Sequence, residues 1–193
     1  MAKYRFKKDY ELEESFSASG RVKKSSVYIG DPCFFVEGAD AAAAQAKRCL
    51  VLCVAAWVCF IGSMCFVSDA MRRLYVALPF VFSGVPLALV TTHVLALKDM
   101  REPLERRHMD RLNNRFPAAA MFLVMFALFA LAGEGVGLVI AAVRDGRALS
   151  ALFSPGEIAF IVGCCGLLFC GLRLFAARRA LRCEARSEQA QQA

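Results

Sequence analysis

Residues 49–67 read CLVLCVAAWVCFIGSMCFV, an apolar stretch that carries no formal charge. A helix needs about 20 such residues to cross the hydrocarbon core of a bilayer. Lys47 and Arg48 come directly before the stretch and Asp69 comes soon after it, so the charge stops and resumes at its two edges. The stretch therefore predicts a transmembrane helix, extended at its start by an Ala-rich segment that Asp40 caps.

Three more apolar runs follow the same plan. Hydrophobic residues make up 58% of the chain, and the 21% that are charged collect between these runs. Soluble domains have roughly 45–50% apolar residues, spread more evenly. The sequence therefore predicts an all-α membrane protein whose four-helix domain covers 39–183, followed by a polar tail at 184–193. The predicted spans are about 49–67, 74–97, 117–143 and 156–177, with a charged loop at 98–115.

The polar segment 1–38 is predicted to be a small N-terminal module. The apolar residues of Tyr10–Phe16 fall at even positions, with Glu13 and Ser15 on the opposite side. Ser17-Ala18-Ser19-Gly20 is a turn signal, and 21–29 ends in an apolar run. This pattern favours a β-hairpin, with disorder as the alternative. Because a lone hairpin is marginally stable in water, we expect it to pack on the membrane surface, on the 98–115 loop or on a partner.

Two short patterns predict local helix structure. In the 98–115 loop, Glu102 and Arg106 have the spacing of a helical ion pair. Leu104, Met109 and Leu112 could then line an apolar side on the membrane surface. Ser154-Pro155-Gly156-Glu157 is typical of a helix N-terminus, with Ser154 as cap and proline in the first turn.

The distribution of Lys and Arg predicts the orientation. Nine lie in 1–48, six in 98–115 and five in 173–186. The two links on the other side hold four, namely Arg72, Arg73, Arg144 and Arg147. Because cytoplasmic segments carry the excess of Lys and Arg, both termini are expected in the cytoplasm, in the plasma membrane if the source is bacterial. The first span is then expected to act as an uncleaved signal.

Glu134 is the charge that interrupts the third predicted span. Acidic groups inside spans are rare and raise a functional hypothesis, here a proton- or cation-carrying carboxylate. One structural alternative is an ion pair with Arg72, Arg73 or Arg144 near the outer surface. Another is that the span ends earlier and Glu134 is solvated. Gly133 and Gly137 flank it as GxxxG, a pattern that lets a second helix approach closely.

Prolines and cysteines carry further structural expectations. Pro79 and Pro86 should bend the second span, since each removes a backbone hydrogen bond. The nine cysteines contain no CxxC, so we interpret them as small packing residues and expect no disulfides. Cys33 and Cys183 fall in segments assigned to the reducing cytoplasm.

Several functional classes find no support in the sequence. The net charge of +7 is explained by cytoplasmic loops, and no nucleic-acid-binding motif accompanies it. No nucleophile–base set, phosphate loop, metal-ligand set or cofactor motif is recognisable, so we predict neither enzymatic activity nor a cofactor or metal. The favoured hypothesis is a non-catalytic accessory or partner subunit in contact with membrane lipid and either a protein partner or copies of itself. The alternative is a small oligomeric transporter or channel subunit that uses Glu134.

Overall fold

The computed structural model describes residues 9–16, 22–66, 68–98, 100, 102–145 and 153–185. Helices dominate this part of the chain. They are α1 (Ala39–Cys65), α2 (Leu74–Phe82), α3 (Gly84–Lys98), α4 (Arg106–Asp110), α5 (Phe116–Asp145) and α6 (Pro155–Ala176). The strands are β1 (Tyr10–Phe16), β2 (Val22–Tyr28), β3 (Cys33–Phe35) and β4 (Cys183–Ala185).

Four helical units are long and apolar enough to cross a membrane, which confirms the predicted number of candidate spanning helices. They cover 39–65, 74–97, 106–144 and 155–176. They form an antiparallel bundle in which α6 packs against α1 and α5, while α3 packs against the same two helices. We call the end that holds residues 28–38, 100, 102–115 and 177–185 the terminal end. The end that holds 68–73 and the start of α6 is the link end.

The first helix begins earlier than its apolar run and is capped differently from the prediction. Its N-cap is Gly38, not Asp40, and no side chain bonds there. Gly38 has φ of 88°, a conformation that side chains disfavour. Asp40 lies within the first turn instead, where its negative charge suits the positive end of the helix dipole.

The second predicted span is two helices joined at Ser83. Pro79 lies inside α2, and Pro86 lies in the first turn of α3, where a missing N–H is tolerated. The buried Ser83 hydroxyl donates to the Phe80 carbonyl at 2.6 Å, and the Ser83 N–H donates to the Pro79 carbonyl at 3.0 Å. The break lets the two halves differ in their neighbours, because α2 packs mainly on α5 whereas α3 also packs on α1.

The N-terminal hairpin is present, and a second small sheet accompanies it. β1 and β2 pair antiparallel from Tyr10↔Tyr28 to Phe16↔Val22. The predicted turn at 17–20 lies outside the described residues. β3 pairs antiparallel with β4, and Cys33 also forms a two-bond bridge with Leu104, so three distant segments meet at the terminal end.

The charged loop folds against the bundle, so its predicted surface helix is wrong. The helix begins at Arg106, and Glu102 lies before it, where its carboxylate accepts the Phe35 N–H at 2.9 Å. Leu104 and Leu112 are buried in the protein core instead of lying along a membrane surface. α4 then continues through a π turn into α5.

The bundle core has a cluster at each end. At the terminal end, β3 and β4 pack with the ends of α1, α3, α5 and α6. At the link end, the rings of Phe60, Phe80 and Phe160 form a row with centroid separations of 5.1 and 5.0 Å. Large apolar side chains such as Val58 and Val143 are exposed on the outside, which suits a bundle surrounded by lipid.

Candidate functional site

Glu134 is buried inside the bundle at the link end. It lies on α5 and has no exposed surface. A carboxylate in such a position is strongly disfavoured unless a positive charge or hydrogen-bond donors face it. Its neighbours therefore determine which interpretation of this residue holds.

Arg73 is the arginine that reaches Glu134. Its Nη1 lies 3.6 Å from Oε2 of Glu134, and 23% of its side chain is exposed. The backbone places it there, because a 3-10 turn over Asp69–Arg72 leads directly into α2, with Arg73 as the N-cap. The hydroxyl of Ser68 accepts the Ala70 N–H at 3.0 Å and fixes the start of that turn.

The other two candidate arginines lie elsewhere. Arg72 pairs with Asp69 at 3.4 Å, and both side chains are largely exposed. Arg144 lies exposed in the last turn of α5. The structure thus brings together one of the three predicted pairs, Arg73 with Glu134.

The two glycines of the GxxxG pattern let the α2 segment lie close to α5. A side chain at Gly137 would overlap the Arg73 guanidinium and lie 3.0 Å from the Tyr75 hydroxyl. A Cβ at Gly133 would lie 3.3 Å from the Tyr75 carbonyl oxygen and from Val76. By contrast, Gly135 faces open space. The approach that the pattern favours is therefore made by the start of α2.

Glu157 is a second buried carboxylate that the sequence did not single out as a site residue. Ser154 caps α6 as predicted, since its hydroxyl accepts the Glu157 N–H at 3.2 Å and also donates to the Glu157 carboxylate. The other carboxylate oxygen accepts the Asp69 N–H at 3.0 Å, which ties α6 to the link before α2. The capping pattern revealed Glu157 only as a helix-end residue.

The Glu134 site is an ionic contact between a fully buried carboxylate and the Arg73 guanidinium. Within the described residues, both Glu134 oxygens and Arg73 Nη1 are buried without a hydrogen-bond partner, so the pair is held by charge alone. Glu157 and Asp69 are near enough to add negative charge around Glu134. Over the same residues, no group of three His, Cys, Asp or Glu side chains is placed to hold a metal ion.

The terminal end carries a second assembled surface, which we call the platform (β3, 102–115 and β4). Asn113 clamps β4 to the bundle, since its side-chain amide donates to the Cys183 carbonyl at 2.8 Å and accepts the Cys183 N–H at 3.1 Å. The Tyr28 hydroxyl accepts the Arg106 N–H at 3.0 Å, which links the hairpin to α4. Of the three predicted packing surfaces for the hairpin, the 98–115 loop is the one that the structure shows in contact.

Cysteines contribute to the platform as buried thiols. All nine cysteines of the chain are free, and Cys33 and Cys183 are fully covered although they lie outside the spans. Burial raises the pKa of Cys183 to about 12 and also raises the pKa of Cys33. Both thiols are therefore protonated at neutral pH and act in packing.

Comparisons of this chain with protein-family models, curated proteins and solved structures find no match.

Proposed function

We propose that this chain is a non-catalytic multi-pass membrane protein that acts as an accessory or partner subunit, with both termini in the cytoplasm. The observation that carries the proposal is the fully buried Glu134 carboxylate, which lies 3.6 Å from the Arg73 guanidinium. A carboxylate that moves protons or cations faces a water-filled cavity or pathway. Glu134 has no exposed surface. A cavity of about 600 Å³ lies at the other end of the bundle, between α1 and α3, and Glu134 does not line it.

The platform supports the partner role. Separate parts of the chain meet there, although ordering polar loops costs conformational entropy. Asn113 and Glu102 hold β4 and β3 in place by hydrogen bonds to backbone groups. Ile29 and Val36 are more than half exposed next to this surface, although neither belongs to a predicted span. Exposed apolar side chains on an ordered polar surface suit contact with another protein.

A photo-crosslinking amino acid tests the partner role in native membranes. Placed at Val36, it should give one discrete crosslinked protein that survives stringent washing, while the lipid-facing control at Val58 should give none. Equal product at both positions, or none at Val36, would contradict a platform partner.

The alternative is a transporter subunit. The observation that favours it is that, among the described residues, neither carboxylate oxygen of Glu134 has a hydrogen-bond partner, so either could take up a proton. Reconstituted liposomes separate the two functions. If the contact is structural, Glu134→Gln lowers the melting temperature in detergent and leaves proton flux at the level of empty liposomes, as in the wild type. A flux in the wild type that Glu134→Gln abolishes without loss of stability would establish the transporter instead.

A further inference from the structure

A cavity of about 600 Å³ lies between α1 and α3 at the terminal end. Its α1 wall is made largely of alanines, including Ala43 and Ala46, and these short side chains leave the space open. The opposite wall includes Val94 and Leu95 of α3. The volume is in the range of pockets that hold organic ligands, about 300–1,000 Å³.

The end of the cavity at Leu50 is apolar and is lined by partly exposed side chains. Leu50 and Leu95 line it and are 38% and 50% exposed on the outside of the bundle. Leu50 belongs to the apolar run of α1, so this end of the cavity faces the region that lipid chains occupy around a spanning helix. The shape suits a hydrocarbon chain that enters from the bilayer.

The rim of the cavity is charged with both signs. Lys47 and Asp40 lie on α1, two helical turns apart and therefore on one face, and a lysine side chain extends toward the polar end of a span. Glu102 also lines the rim, but its carboxylate already accepts the Phe35 N–H. In the described part of the chain, neither Lys47 nor Asp40 belongs to a salt bridge.

We propose that this cavity binds one acyl chain of a zwitterionic membrane phospholipid with a primary ammonium headgroup. Lys47 contacts the phosphate, and Asp40 contacts the ammonium. An anionic phospholipid would satisfy Lys47 but would leave Asp40 unpaired beside the acidic Glu102. A choline headgroup carries the charge but cannot donate a hydrogen bond to Asp40. This inference does not depend on the proposed function.

Native mass spectrometry of the purified protein tests the headgroup. The detergent contains equal amounts of phosphatidylethanolamine, phosphatidylcholine and phosphatidylglycerol with the same acyl chains. We expect one bound lipid, retained in the order ethanolamine, choline, glycerol. Lys47→Gln should weaken retention about fivefold, the effect of one lysine at a lipid headgroup. Equal retention of all three lipids, or a preference for phosphatidylglycerol, would overturn the proposal.

A filled cavity tests whether the lipid occupies it. Ala43→Phe should reduce retention of phosphatidylethanolamine at least about tenfold, because Ala43 lines the cavity between Asp40 and Lys47, where the ring occupies the space of the headgroup. Ala44→Phe is the matched control, since Ala44 is equally exposed one position away and does not line the cavity. Both sites are on the surface, so both variants should retain helical circular dichroism. If Ala43→Phe instead changes the oligomeric state and leaves lipid retention intact, a second copy covers the cavity and the proposal is wrong.

Discussion

Arg73 can reach Glu134 because Gly137 has no side chain to block the guanidinium. The Arg73 guanidinium occupies the volume that a side chain at position 137 would fill. Without that space the carboxylate would be buried and uncompensated, at several kcal/mol for a charge in an apolar interior. A GxxxG pattern, usually a site for helix packing, here also makes room for an arginine beside a buried acid.

Gly137→Ala tests that arrangement. The added methyl group overlaps the guanidinium and displaces it from Glu134, so we expect a loss of about 1–3 kcal/mol in the free energy of unfolding. The control is Gly135→Ala, which faces open space and should be neutral or gain up to about 1 kcal/mol from helix propensity. Chemical denaturation in detergent gives both values. Equal effects at the two positions would show that Gly137 makes no room for Arg73.

At the scale of elements, α1 and α6 pack closely because α6 carries small residues. A Cβ on Gly163 would overlap the Ser63 hydroxyl oxygen and lie 3.0 Å from the Cys59 carbonyl. Ser63 is buried, and its hydroxyl donates to the same carbonyl at 2.8 Å. Such contacts are typical of spanning helices, which associate by close packing of small residues.

Gly163→Ala should therefore separate α1 from α6. The methyl group meets backbone, which cannot rotate away, and we expect the protein to lose about 2 kcal/mol of stability. Gly62→Ala is the control, because Gly62 has nothing within 4 Å of its would-be side chain. Thermal unfolding in detergent followed by circular dichroism checks both. An unchanged melting temperature for Gly163→Ala would contradict close packing there.

We expect the attachment of β4 to depend on Asn113, and the rate at which Cys183 is labelled measures how often β4 detaches. Burial raises the pKa of Cys183 to about 12, so at pH 8 the thiol is protonated and should react with maleimide only when β4 detaches. Asn113→Ala removes both hydrogen bonds to the Cys183 backbone and should speed labelling by about 5- to 150-fold, the effect of roughly 1–3 kcal/mol of unsatisfied groups.

Asn114→Ala is the control for this measurement. Asn114 is exposed and donates to Asp110 at 2.8 Å, and within the described part of the chain the side-chain hydrogen bonds to the Cys183 backbone come from Asn113. All labelling is measured in a background in which Cys183 is the sole cysteine. In that background, Cys183 of the Asn114→Ala variant should be labelled at the same rate as Cys183 without the substitution. Fast labelling of the wild-type site at pH 8 would show that β4 is not held at the bundle.

At the scale of the whole molecule, the four helices bring both ends of the described chain to one end of the bundle. Labelling intact cells with a membrane-impermeant maleimide tests which side that end faces. In a cysteine-free background, Asp69→Cys at the link end should react, while Glu37→Cys and Glu184→Cys should react only after permeabilisation. Labelling of Glu37→Cys in intact cells would reverse the orientation predicted from Lys and Arg.

Hydropathy and turn patterns predicted the four helices, the hairpin and the Ser154 cap, because each depends on neighbours in sequence. Contacts between distant segments were not predictable in the same way. The β3–β4 pairing joins two three-residue strands about 150 residues apart in sequence, and neither strand is long enough to show a pattern. The prolines predicted a bend, but not that Ser83 would separate two helices.

At the Glu134 site, too, features set by nearby sequence were predictable and contacts between distant segments were not. The sequence identified the buried acid and three arginines at about its depth, since depth follows from position along a helix. It could not select among them, because the selection depends on the 3-10 turn, after which Arg73 contacts Glu134 whereas Arg72 pairs with Asp69. The link from Glu157 to Asp69 depends on the same turn.

We infer that Arg73 and Glu134 stabilise the fold as a pair, and a double-mutant cycle tests this most directly. Arg73→Gln should cost about 3–5 kcal/mol, since it leaves a fully buried carboxylate alone. Glu134→Gln should cost less, because Arg73 keeps 23% of its side chain exposed. Arg72→Gln, whose partner is exposed, should change stability by less than about 1 kcal/mol and add independently to Glu134→Gln.

The decisive quantity is the stability of the Arg73→Gln, Glu134→Gln double variant in detergent. We predict that it loses less than the sum of the two single losses, with a coupling free energy of about 1–3 kcal/mol. Losses that add to within about 0.5 kcal/mol would mean that the two residues do not stabilise each other, and would contradict the structural role of Glu134.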